Sequence, residues 1–211
     1  MTPKQHPIEA ESFRIILSEL GPHEFDELHL PIVLRVIHAT ADFDFRETLH
    51  FSPGAIAAGL AALRAGAPII TDVRMVEAGI SKGFVQQLGG YVLSVINSDP
   101  QIAHLAKIHG TTRSTMGMRL NKDRLQGAVV VIGNAPTALL ELIRLVREEN
   151  VRPGLIVGAP VGFVSAVESK KALTELDVPY ITPLGRKGGT PVAVAIANAL
   201  LRLALSPLSR M

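Results

Sequence analysis

The chain has 211 residues, 47% of them hydrophobic, a formal charge of +2 and no cysteine. Length and apolar content suit one well-cored domain, and the missing thiols exclude disulfides, thiolate nucleophiles, cysteine-ligated zinc and iron–sulfur clusters. Scattered Lys and Arg with only 4% aromatic content argue against a nucleic-acid surface. The apolar runs are too short to span a membrane, and MTPKQHPIEAESF has no apolar signal core, so a cytoplasmic protein is expected.

The first third reads as helices, a helical N-terminal part over 1–66 packed on a sheet domain over 67–211. Glu9–Leu20 places Phe13, Ile16, Leu17 and Leu20 at helical spacing and stops at Gly21-Pro22. Pro31 opens a second helix that ends at His38 and is followed by Asp42 and Asp44, alternating with Phe43 and Phe45. Ser52-Pro53 reads as the N-cap and first residue of an alanine-rich helix, Gly54–Ala65. From Ala67 onward short apolar runs alternate with helices. Pro68–Val73, Tyr91–Ile96, Gly127–Gly133, Gly154–Gly158 and Tyr180–Leu184 read as strands, with Asn134 the N-cap of the helix after the third. Helices are expected over Gly83–Leu88, Pro100–Leu125 (with breaks at Gly110 and Gly117), Thr137–Glu149, Phe163–Leu176 and Pro191–Leu205. The expected fold is a three-layer α/β/α flavodoxin-like domain: five parallel strands in the order 2-1-3-4-5, with an N-terminal helical extension.

In such sheets a ligand lies beyond the carboxyl ends of the strands. Here those ends carry Asp72 and Arg74, Asn97-Ser98-Asp99, Gly133-Asn134, Gly158 to Gly162, and Gly185-Arg-Lys-Gly-Gly189. Glycines that admit close backbone approach, free N–H groups at helix starts, and the cations Lys82, Arg113, Arg119, Arg186 and Lys187 suggest a pocket for a ligand with many carboxylates or phosphates. Met75, Val76, Phe43 and Phe163 are candidates to face its apolar parts. A histidine at a helix end with acids following, His38, can exchange a proton near neutral pH; the plainer reading is a capping histidine before an acidic turn. Familiar motifs fail at specific residues. Gly154–Gly162 is not G-x-G-x-x-G, Gly185–Thr190 lacks the G-K-[ST] order, no H-E-x-x-H occurs, and Ser165 is not in a G-x-S-x-G elbow. Glu168, Lys170 and Lys171 read as the solvated face of their helix.

Taken together, the blocks Glu11-Ser-Phe-Arg-Ile-Ile16, Val36-Ile-His-Ala-Thr-Ala-Asp-Phe43, Ala65–Asp72, Met75–Ile80, Val131-Ile-Gly-Asn-Ala-Pro-Thr-Ala-Leu139, Pro160–Lys170 and Gly185–Gly189 resemble the precorrin-8X methylmutase family, also called cobalt-precorrin-8 methylmutase. The resemblance implies an isomerase of cobalamin biosynthesis that moves a methyl group from C-11 to C-12 on ring C of a tetrapyrrole. It also implies no cofactor, no metal ligands and a homodimer. By motif position it makes His38 the proton donor or acceptor and Ser12, Arg35 and Arg113 substrate contacts; the strand-end reading adds Lys82, Asn134, Gly158, Gly162 and Arg186, and the acidic turn after His38 adds Asp42. Residue by residue, Ser12 can equally be an early-helix hydroxyl, and Arg35 and Arg113 surface charges. A non-catalytic tetrapyrrole carrier would keep the cations and not need His38. A response-regulator-like module is poorly supported, because Asp72 stands alone where an acidic cluster is required.

Overall fold

The computed structural model describes residues 6–206; Met1–Gln5, part of the stretch read for a signal, and the end of the 67–211 segment lie outside. β2 (Ile69–Thr71), β3 (Val92–Ser94), β4 (Val129–Ile132), β5 (Leu155–Gly158) and β6 (Tyr180–Pro183) are mutually parallel, and β1 (Leu49–Phe51) runs antiparallel along β6. The order across the sheet is β1-β6-β5-β4-β2-β3. The sheet is therefore six-stranded and mixed, where five parallel strands were expected.

The extra strand comes from the segment expected to be wholly helical. Three residues are too few for alternation to show in the sequence; Leu49–Phe51 becomes a strand because it completes the outer ladder of β6. Ser52 does not cap the next helix, α4 (Ala55–Arg64), which starts after Gly54 at φ 72°. Its hydroxyl accepts the Tyr180 N–H at 2.9 Å and ties the strand end instead.

The parallel strands are apolar on both faces because both are covered. Val129, Val131, Leu155 and Val157 point into one core with α2 (His29–Thr40), α4, α5 (Arg74–Gly79) and α12 (Thr190–Leu205). Val130, Ile132 and Ile156 point into the other, with α8 (Arg113–Leu120), α10 (Pro136–Glu149) and α11 (Ala166–Thr174). α12 is buried nearly all round because α2 lies over it, and α1 (Pro7–Leu20) lies against α2. The remaining helices are short: α3 (Phe45–Thr48), α6 (Lys82–Gln87), α7 (Ile102–Ile108) and α9 (Lys122–Leu125). The long helix expected over Pro100–Leu125 is thus three, broken at Gly110 as expected. Gly117 lies inside α8, where a Cβ would come within 2.9 Å of the Val95 carbonyl oxygen. No described helix is long and apolar enough to cross a membrane.

Asp72, at the end of β2, is fully buried and accepts three backbone N–H groups from the neighbouring strand's turn: Gly133 at 3.1 Å, Asn134 at 2.8 Å and Ala135 at 2.7 Å. It thereby caps α10 from outside the helix, so Ala135 and not Asn134 stands at the N-cap. Burial pushes its carboxyl up, against the pull of those donors. Asp72→Ala leaves the three donors unpaired and is expected to cost about 2–4 kcal/mol of stability, read as a lower denaturation midpoint. An unchanged midpoint would contradict this account of the β2–β4 junction.

Candidate active site

On α2 the buried residues Ile32, Val33, Val36 and Ile37 face α12, which turns Arg35 and His38, one helical turn apart, toward α1. Phe13 of α1 meets both. Its ring lies 5.1 Å from the His38 ring, centroid to centroid, and the Arg35 guanidinium lies 5.0 Å over it. Arg35 also binds Glu9 at 2.6 Å. Burial works against the Glu9 charge, but the Arg35 hydrogen bond and the positive potential of Arg35, Arg202 and His38 hold it below the ordinary carboxylate value. Burial lowers the Arg202 pKa, as does Arg35, with Glu9 opposing. Phe13, Leu34, Arg35, Arg202 and Leu203 are among the lining of a groove of about 330 Å³, at the small end of ligand-site volumes, which run from about 300 to 1,000 Å³. His38 is exposed at its side, with no hydrogen-bond partner among the described residues.

Past His38, Ala41 closes α2 in the left-handed conformation at φ 52°, which swings the acidic turn toward the strand ends. There the Lys187 Nζ lies 2.6 Å from both Asp42 and Asp44. The Lys187 hydrogen bond holds the Asp42 carboxyl down, against burial, with the Asp44 N–H adding to it. Asp42 is thus spent on a lysine and not on His38. The Arg186 guanidinium stands 5.4 Å over the ring of Phe163, which is 84% exposed beside Val164 at 82%.

The candidate residues fall into separate groups. His38 and Arg35 lie together, and Asp42, Gly162 and Arg186 form the adjoining rim through the Lys187 bridge. Asn134 is exposed beyond β4, but its backbone N–H is taken by Asp72, so the free anion-binding turn expected there is already filled. Gly158 is buried, its carbonyl held by Thr182, and a Cβ there would lie 2.5 Å from Leu173, so it serves packing. The Gly162 N–H donates to the Arg186 carbonyl at 3.2 Å. Ser12 spends its hydroxyl on the Ile8 carbonyl of its own helix at 2.9 Å. Arg113 lines a groove with Asn97 and Asp99 beyond β3, four strand spacings and so roughly 20 Å from β6 along the rim. Lys82 lies beside Gly90–Val92, at the amino end of β3. Of the apolar candidates, Met75 and Phe163 are exposed, Phe43 is half-buried and Val76 is in the core.

Sequence reasoning gave no site role to Glu9, Phe13 or Arg202: no motif marks Glu9 or Arg202, and Phe13, inside the Glu11–Ile16 block, counted only as an apolar helix position. It also misplaced Lys170, whose side chain is wholly buried. The signal was present: Ala166, Ser169, Lys170 and Leu173 keep the spacing of a buried stripe.

The family model described as CbiC, precorrin-8X methylmutase, matches residues 7–203. The chain belongs to the precorrin-8X methylmutase family. Cobalt-precorrin-8 methylmutase of Priestia megaterium is 48% identical over 97% of this chain and 90% of that protein. Precorrin-8X methylmutase of a Sinorhizobium species is 39% identical over 90% and 91%. The crystal structure of precorrin-8X methyl mutase from Thermus thermophilus superposes with a TM-score of 0.86 at 43% identity, covering 94% of this chain and 98% of that one.

Burial pushes the Lys170 amine down to about 8, from an ordinary 10.5. Between these values the unfolded chain keeps a proton that the folded chain has released. The contribution of Lys170 to stability therefore rises with pH across that window and falls as pH drops toward 8. Denaturant titrations at mildly and strongly alkaline pH should show the wild type gaining stability relative to Lys170→Met. Parallel curves would contradict the burial assignment.

Proposed function

We propose that the chain is a methylmutase, an isomerase of cobalamin biosynthesis, that breaks the bond from a methyl group to C-11 and forms one to C-12 on ring C of cobalt-precorrin-8, giving cobyrinate. The observation that carries the catalytic assignment is the exposed, unpartnered imidazole of His38 set beside Phe13, Arg35 and Arg202. A methyl shift within one molecule needs no nucleophile and no external methyl donor. It needs the macrocycle held and a proton available. An imidazole, which carries both a proton-donating and a proton-accepting nitrogen, can give that proton to ring C and take it back. Arg35, Arg202 and Arg186 supply charge for the substrate's carboxylates, with bonds worth about 1.5–3 kcal/mol each when water is excluded. The Glu9–Arg35 pair keeps the guanidinium fixed while the site is empty of anion. The cobalt-containing form of the substrate is favoured because the Priestia megaterium relative named for it is 48% identical, against 39% for the Sinorhizobium relative.

His38→Ala is expected to fold with unchanged circular dichroism and to lose about 100- to 10,000-fold in turnover, followed by the absorption change of the corrinoid. Near wild-type turnover would sink the role of His38. Binding of either precursor by the wild type without any spectral conversion would favour a tetrapyrrole carrier.

A homodimer is part of this reading. Val161, Phe163 and Val164, in the turn after β5, and Met75, after β2, are exposed apolar side chains at the strand ends, the kind of surface that a second subunit or a ligand covers. The groove beside His38 suits one acidic arm of the substrate, and a twofold partner would add the wall a macrocycle needs. Sedimentation at micromolar concentration is expected to give twice the 22.6 kDa chain mass; a species of the chain mass alone would contradict it.

A further inference from the structure

Lys170 is the only buried lysine among the described residues. Burying an ammonium is unfavourable unless its protons are bonded, and the partner here is a main-chain oxygen: Nζ donates to the Lys187 carbonyl at 2.7 Å. The bond belongs to a set that stitches the turn after β6 to the turn after β5. The Gly162 N–H donates to the Arg186 carbonyl at 3.2 Å, and the Gly189 N–H to the Ala159 carbonyl at 2.8 Å. Gly188 lies so close that a Cβ would come within 2.6 Å of the Ala159 oxygen. With the Lys187 carbonyl drawn inward, the Lys187 side chain runs outward to Asp42 and Asp44, just past His38, and Arg186 stands over Phe163.

We propose that Lys170 is a positioning residue for the active site: by holding the Lys187 carbonyl it sets the Gly185–Gly189 turn, and through Lys187 the segment that follows His38. Its effect on turnover rests on the reading of His38 and the rim as the site. An apolar residue of similar length would fill the same space, so packing alone does not require a charge there. The amine's lowered pKa of about 8 marks a charge held in place by one oxygen and no counter-ion. Because that bond is the link, losing it frees the carbonyl to turn and the Lys187 bridge to loosen, while the sheet stays intact.

The test is Lys170→Met, which keeps length and removes the donor, measured alone and in a Lys187→Ala background. Amide exchange at Gly162 and Gly189 should rise at least tenfold with β4 amides unchanged, and kcat/KM should fall at least tenfold in the wild-type background. If Lys170 acts through Lys187, the same substitution costs less than threefold once Lys187 is alanine. An equal loss in both backgrounds, or unchanged exchange at the two glycines, overturns the proposal. Should Lys170→Met not fold, Lys187→Ala alone decides. Its main-chain carbonyl remains bound, so Gly162 and Gly189 stay protected; loss of protection there overturns the proposal. Where Lys170→Met folds and loses protection at both glycines while Lys187→Ala keeps the wild-type kcat/KM, it is the reading of the rim that fails and not the setting of the turn by Lys170.

Discussion

The close approach of two main-chain turns is what the site depends on. The turns after β5 and β6 touch at Gly188 with no room for a side chain, and their polar groups bond one another. Because both turns leave adjacent parallel strands, they stand at one edge of the sheet, and what they carry points the same way. Phe163, Arg186 and Lys187 owe their places to that contact. The Lys187 bridge to Asp42 and Asp44 then joins this edge to α2, an element from the far end of the chain.

α2 is fixed by a different force. Its apolar stripe is buried on α12, whose other side is buried on the sheet, so the helix that ends beside His38 is held by burial of Ile32, Val33, Val36 and Ile37. Burial sets the depth and rotation of α2, and the Lys187 bridge sets its end. A partly exposed ion pair adds little stability, so the bridge matters for direction rather than for folding. Phe13 completes the arrangement by packing against both Arg35 and His38, which gives an exposed imidazole one defined apolar wall.

The fully buried strands were legible because their Val and Ile runs face two cores at once, and the helices between them because of their spacing and caps. β1 was not, since three residues carry no period and its strand character comes from β6. Asn134 looked like a cap because Asn before a proline-started helix usually is; the structure gives that work to Asp72, sixty-odd residues earlier and one strand away. Lys170 looked solvated because a lysine with Glu168 and Lys171 near it usually is. Its neighbours at helical spacing, Ala166, Ser169 and Leu173, pointed inward, and the helix followed them.

Alone, the sequence determined the family and the alternation of strands and helices, and it singled out His38 as the candidate for proton transfer. Those properties reside in residue types and local spacing, which need no partner to be read. Tertiary structure decided which candidates share a site. Arg35 joins His38 because one helical turn and a buried stripe put them together. Gly158 becomes a packing position because Leu173 lies against it, Lys82 falls at the amino end of β3, and Arg113 stands at the far end of the rim. Glu9, Phe13 and Arg202 enter because α1 and α12 meet α2. Such contacts join residues far apart in the chain, and local sequence carries no record of them.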